Sequence, residues 1–145
     1  MTSQEILDFA GRHSMLAIGF VVLTVAIIAT EIARLFRPYK ALTPAQFTAL
    51  VNREDAVVVD LSASGEFEKG HIAGSRNVQA SAFGPEHKLL AGAKEKPVIV
   101  VCRTGQGSAD QAAKLKKGGF AHVYWLDGGV AAWQQAGLPL VKGRA

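Results

Sequence analysis

The single cysteine of this 145-residue chain, Cys102, closes an apolar run and opens the stretch Cys102-Arg103-Thr104-Gly105-Gln106-Gly107-Ser108. Gly105 and Gly107 permit positive backbone φ angles, so the stretch can curl around the sulfur and aim amide N–H groups at it. Together with the amino terminus of a following helix, such a nest favours an anion, here a thiolate or the terminal sulfur of a persulfide. Arg103 adds a positive charge nearby. A thiolate held this way remains an accessible nucleophile, which is what attack on a sulfur-donor bond requires. The opposing reading is a small buried hydrophobe, the commonest fate of a lone cysteine. By context alone the two are evenly balanced. Ser108 and Gln111 have the Ser-x-x-Gln spacing of a capping box, which would start the next helix at Ala109.

Two further side chains invite chemistry. Asp60 ends the run Ala56-Val57-Val58-Val59-Asp60, where its carboxylate could orient the cysteine loop or simply form a turn. His71 suggests a general base, but a structural role is favoured. His13, His87 and His122 have no metal-ligand spacing with one another or with Cys102. One cysteine excludes an intrachain disulfide and an all-cysteine metal site, and suits a reducing compartment. No metal is expected.

The elements that must position these residues alternate. Ala56–Asp60, Pro97–Cys102 and His122–Leu126 are short, β-branched apolar runs with the look of buried strands. Between and around them lie helical patterns. Thr43-Pro44-Ala45-Gln46 reads as a helix start, with Thr43 as N-cap, Pro44 in the first turn, Gln46 reaching back, and Leu42 and Phe47 as a staple; that helix should run to about Asn52. Ala109–Lys117 is the clearest helix, with Ala112, Ala113 and Leu115 on its inner face. Lys114, Lys116 and Lys117 form its solvated end. Gly128-Gly129 marks a tight turn into a helix whose Trp133 packs on the sheet. This order predicts an α/β domain with a central parallel sheet of about five strands and helices on both faces. Ligands of such folds bind at the carboxyl ends of the strands, where Asp60 and Cys102 both lie.

No residue from Ser14 to Thr30 is charged, and Ile32 and Ala33 extend the run. At ~1.5 Å per residue it makes a helix of roughly 26 Å or more, near the short limit for crossing a bilayer. A cleaved export signal is the weaker reading, because Glu5 and Asp8 make a poor basic leader and no small-x-small cleavage site follows. The chain thus divides into a short segment 1–13, a transmembrane helix 14–33, a basic linker 34–41 closed by Pro38, and a domain 42–145. Ile6, Leu7, Phe9 and Ala10 could form a short interfacial helix. Arg12 alone precedes the apolar run apart from His13, whereas Arg34, Arg37 and Lys40 follow it. That asymmetry places the amino terminus outside and the domain in the cytoplasm of a single-pass inner (plasma) membrane protein. The same three residues would meet anionic membrane lipid. The net charge of +4 is otherwise scattered, with no aromatic-interleaved basic stripe, so nucleic acid is not an expected partner. Gly19 and Ala26, two turns apart, could seat a helix of another integral membrane protein.

Three blocks resemble the rhodanese, or thiosulfate sulfurtransferase, family. Asp60-Leu61 with Glu66-Phe67-x-x-Gly70-His71-Ile72-x-Gly74-x-x-Asn77 is similar to its amino-terminal signature, and Cys102-Arg103-x-Gly105 to its catalytic loop. Leu126-x-Gly128-Gly129-x-x-x-Trp133-x-x-x-Gly137-x-Pro139 is similar to its carboxyl-terminal signature. The resemblance implies a rhodanese-like fold over about residues 42–141. It implies that Cys102 takes sulfane sulfur from thiosulfate or a protein persulfide and passes it to cyanide or a thiol acceptor. The persulfide is carried by the enzyme's own sulfur, so no metal or organic cofactor is implied. Two positions depart from the family pattern: Gly107 stands where many members end the loop in arginine, and Ser62 where an arginine often follows the strand-end aspartate. Both reduce positive charge around the pocket. They also motivate an alternative, a rhodanese-like docking module that binds a membrane-protein partner. A phosphatase or arsenate reductase needs arginine at position 108, where this chain has serine, and is not expected.

Overall fold

The computed structural model describes residues 1–35 and 39–144, in two compact units, Met1–Arg37 and Pro38–Ala145. Arg37, Pro38 and the side chain of Arg34, on which the basic linker was partly read, lie outside the described residues.

The first unit holds α1 (Ser3–Arg12) and α2 (Ser14–Leu35). Thr2 and Glu5 form a reciprocal capping box that starts α1, with the Thr2 N–H donating to Glu5 Oε2 at 2.7 Å. None of its side chains is buried, and Ile6, Leu7 and Phe9 stand open. Within α2, Ser14–Ala33 is a 20-residue stretch of mean hydropathy 2.4, long and apolar enough to cross a membrane. Its two threonine hydroxyls turn inward on their own helix: Thr24 Oγ1 donates to the Phe20 carbonyl and Thr30 Oγ1 to that of Ile27, each at 2.8 Å. That leaves little polar demand on the surroundings, as a hydrocarbon medium requires.

The second unit is a five-stranded parallel sheet in the order β1-β5-β4-β2-β3, with β1 Lys40–Leu42, β2 Val57–Asp60, β3 Arg76–Asn77, β4 Pro97–Val101 and β5 His122–Leu126. The three inner strands are those expected. They are covered on both faces, so selection for apolar β-branched residues runs along their whole length. β4 is buried at all five positions. Its alternate residues feed two cores: Val98 and Val100 join Ala112 and Leu115 on one face, while Ile99 and Val101 join Phe47, Val130 and Trp133 on the other. The helices that bring these side chains are α3 (Pro44–Arg53), α5 (Gln106–Lys117) and α6 (Gly129–Gln135); α4 (Ser64–Lys69) follows β2.

Thr43 caps α3 as expected, with Gln46 returning the bond, and Leu42 and Phe47 enter the same core. Lys116 Nζ donates to the Ala121 carbonyl at 2.8 Å, while Lys114 and Lys117 are exposed. The segment read as a linker to residue 41 is partly strand, because Lys40 and Ala41 pair with Tyr124 and Trp125 of β5. Only Leu42 of β1 is buried, so no alternation betrays it.

Candidate active site

The sulfur sits where a buried strand ends. Cys102 is the first residue beyond β4, and its side chain is partly exposed. The Gly105 N–H donates to Sγ at 2.9 Å, and the Ser108 hydroxyl donates to it at 3.0 Å. Both donors belong to the turn that becomes α5, so the sulfur also faces the positive end of a 12-residue helix. Two donors aimed at one partly exposed sulfur make a setting that suits a sulfur anion.

Gly105 makes the turn possible. Its φ of 93° lies in the left-handed region. A Cβ there would approach the Gly128 nitrogen to 2.9 Å and Trp125 Cζ3 to 3.2 Å. The helix therefore starts at Gln106, three residues earlier than the sequence suggested, with Gly105 as its cap and no side-chain capping bond. The Ser108–Gln111 capping box does not form. The backbone reversal at Gly105 lets the helix begin at once, which places Ser108 inside the first turn and spends its hydroxyl on Cys102. Thr104, Gln106 and Gly107 are exposed on this turn, and a Cβ at Gly107 would meet nothing within 4 Å.

The loop is gripped from the opposite side by α6. The N–H groups of Val130 and Ala131 donate to the carbonyls of Cys102 and Arg103 at 2.9 and 3.1 Å. Gly129, at φ 60°, permits that approach, because a Cβ would collide with the Cys102 carbonyl oxygen and lie 2.7 Å from the Arg103 carbonyl carbon. The paired glycines read as a turn also serve the sulfur loop.

Arg103 does not stand free beside the sulfur. Its Nη2 donates to the Glu66 carboxylate at 2.9 Å and to the Glu66 carbonyl at 3.2 Å, tying the loop to α4. Glu66 belongs to the amino-terminal block, where its spacing alone points to no role. Thirty-odd residues separate it from Arg103 in sequence, so only the signature could have flagged it.

Asp60 is 1 % exposed, and its Oδ1 accepts the Ser62 N–H at 2.8 Å, which makes the turn off β2. Asn77 Nδ2 then brackets that turn, donating to the carbonyls of Asp60 and Ser62 at 3.1 and 2.8 Å. Among the described residues no hydrogen bond joins the Asp60 carboxylate to the Cys102 loop, and its Oδ2 is buried without a partner. Its link to the site is through the backbone: the next residue, Leu61, donates its N–H to the Val101 carbonyl at 2.7 Å.

His71 is fully buried, stacked on Phe67 at 3.7 Å between ring centroids, with Nδ1 2.8 Å from the Phe67 carbonyl. Its backbone exchanges hydrogen bonds with Val141 at 2.9 and 2.8 Å. These bonds tie α4 to the tail of the domain. Among the described residues no three His, Cys, Asp or Glu side chains gather where they could hold a metal ion.

The family model for the rhodanese-like domain matches residues 43–136. Among relatives, the Escherichia coli (strain K12) protein YibN is 44 % identical over 142 residues, spanning 97 % of this chain and 99 % of that protein, so the likeness runs through the apolar helix. Thiosulfate sulfurtransferase GlpE of Pseudoalteromonas translucida (strain TAC 125) is 33 % identical over 98 residues, 68 % of this chain and 91 % of that one. Among solved structures, a rhodanese-related protein from Thermoplasma volcanium superposes with a TM-score of 0.63 at 25 % identity, covering 72 % of this chain and all of that one.

Proposed function

The chain belongs to the rhodanese-like family of sulfurtransferase-type proteins, and on that premise we propose that it is a membrane-anchored enzyme carrying sulfane sulfur as a persulfide on Cys102. One observation carries this reading: the partly exposed Cys102 accepts hydrogen bonds at Sγ from the Gly105 N–H and the Ser108 hydroxyl at the amino end of α5.

In the first half-reaction the Cys102 thiolate attacks the outer sulfur of a donor. For thiosulfate a new S–S bond forms, the donor's S–S bond breaks, and sulfite leaves with the electron pair. In the second, an acceptor thiolate or cyanide attacks that outer sulfur, and Cys102 departs as thiolate. Negative charge stays on or next to Sγ throughout, so the same two donors serve both states. No metal or organic cofactor enters this scheme.

The apolar stretch Ser14–Ala33 supports an anchor, and the three-to-one excess of Arg34, Arg37 and Lys40 over Arg12 supports an outside amino terminus and a cytoplasmic domain at the inner membrane. Anionic lipid is the proposed partner of these basic residues and of the open apolar side chains of α1. A neighbouring integral membrane protein could meet α2 at Gly19 and Ala26. Protease added to sealed inverted vesicles should remove the domain; full protection there, with cleavage in intact spheroplasts, would reverse the orientation.

The chemical test is intact-mass spectrometry of the full chain in detergent, incubated with thiosulfate or a persulfide and then with cyanide. Gain of one sulfur on Cys102, removed by cyanide, is the expected result. A folded protein with reactive Cys102 that neither donor loads, and a cellular role that survives Cys102→Ser, would instead make the domain a docking module.

A further inference from the structure

The Cys102–Ser108 loop carries one cation, and that cation is already paired. Arg103 is the only charged residue from Cys102 to Ser108, and its Nη2 is committed to both the carboxylate and the carbonyl of Glu66. The pair is close to neutral as a unit. Gly107 lies between the two residues that bond the sulfur, is exposed, and offers no side chain to the space beside it. Ser62, two residues past the end of the neighbouring strand β2, is 8 % exposed with its hydroxyl buried and unpartnered, so that position adds no charge either. Buried Asp60 stands two residues before it. A dianion approaching a thiolate here meets like charge with no uncommitted loop cation to offset it.

Resting on the persulfide reading above, we propose that this pocket is selective for sulfane sulfur delivered on an alkyl persulfide, as on a cysteine side chain or a small thiol, and that Glu66 and Gly107 are its specificity-determining residues. Glu66 withdraws the arginine, and Gly107 leaves room for the carbon chain of the donor thiol. The exchange balances without any oxidant: the Cys102 thiolate bonds to the outer sulfur of R–S–SH, the R–S to S bond breaks, and R–S⁻ leaves with the electron pair. Cys102 is then the protonated or ionised persulfide, and the alkyl thiolate is the by-product. A neutral or singly charged donor of this kind needs contact with its carbon chain more than it needs a cation.

The test compares the full chain in detergent with its Gly107→Arg and Glu66→Gln variants, using sodium thiosulfate and cysteine persulfide as the two probes. Cys102 loading is read by quenched intact mass at ionic strengths from about 20 to 300 mM, a range over which screening changes strongly. Position 107 has negative φ and open space, so arginine there is compatible with the fold. In the native chain the persulfide should load at least about tenfold faster, and thiosulfate loading should rise rather than fall with salt, as screening weakens the repulsion between dianion and thiolate. Gly107→Arg should shift the thiosulfate-to-persulfide ratio at least about tenfold toward thiosulfate and make that loading fall with salt; Glu66→Gln should move the ratio in the same direction. Native loading by thiosulfate as fast as by persulfide and steeply weakened by salt overturns the selectivity while leaving the persulfide cycle intact. So does a ratio that neither variant moves. Failure of both probes to load a Cys102 that still alkylates sinks the cycle itself, and the selectivity with it.

Discussion

Ser108 Oγ lies 3.0 Å from Cys102 Sγ, six residues away in sequence and fully buried beside it. A hydrogen bond to a charged acceptor contributes ~1.5–3 kcal/mol, part of which the Gly105 N–H retains when the hydroxyl is lost. Ser108→Ala should therefore slow sulfur loading roughly 5- to 50-fold, with little change in the unfolding midpoint. Ser108→Thr, which keeps the hydroxyl, should retain more of the rate. Equal rates in the native and alanine chains would remove the hydroxyl from the mechanism.

Gly129→Ala sets a side chain against the carbonyls of Cys102 and Arg103 at a backbone φ of 60°. The left-handed conformation costs ~1 kcal/mol for alanine and overpacking a further ~1–3 kcal/mol. Denaturant titration should show a loss of about 2–4 kcal/mol. Loading of the molecules that remain folded should also slow, because the sulfur loop must shift to admit the methyl group.

His71→Ala removes a buried ring stacked on Phe67 and the Nδ1–H bond to the Phe67 carbonyl. A cost of about 3 kcal/mol is expected, in the range of other large-to-small core changes. The pH profile of sulfur loading, measured on folded variant, should keep its shape. A limb of the profile that disappears with His71 would reinstate it as a proton carrier.

Asp55 and Lys96 meet at 2.7 Å just before β2 and β4, at the end of the sheet opposite the sulfur. The Lys96 hydrogen bond, and then its charge, hold the Asp55 carboxyl below its ordinary value. A depressed folded-state value means that the pair's small stabilisation is present above the unfolded value, near pH 4, and fades as pH falls through the lower folded one. Lys96→Met should raise the Asp55 titration midpoint followed by NMR. The variant and the native chain should differ in stability at neutral pH and low salt, and converge in acid.

The inner strands were legible because β2, β4 and β5 are packed on both faces and are apolar apart from Asp60 at the end of β2 and His122 at the start of β5, and the cap of α3 because Thr43 and Gln46 act over three residues. β1 and β3 escaped location. They are edge strands of three and two residues, too short to carry a pattern. At the site, Cys102 and its glycines could be read because strand, turn and helix are contiguous. Ser108 was picked out with the wrong partner: spacing reports that a hydroxyl is near a helix start, and says nothing of a sulfur folded back over it. Glu66, Trp125 and the grip of α6 act through space between distant segments, which local pattern cannot encode.

The pairing of β1 with β5 joins the first strand after the apolar helix to the last strand of the sheet, about eighty residues later. A chain leaving the ribosome amino end first cannot complete this sheet in the order of its synthesis. Lys40–Leu42 must wait, edge unpaired, until His122–Leu126 has emerged, and α6 must follow before the backbone of the sulfur loop is secured. If the apolar helix enters the bilayer early, the waiting strand is held at one end while the rest of the domain is made. Chain elongation then sets the earliest time at which Cys102 can acquire its hydrogen-bonded setting, and premature release leaves an exposed strand edge open to association with other chains.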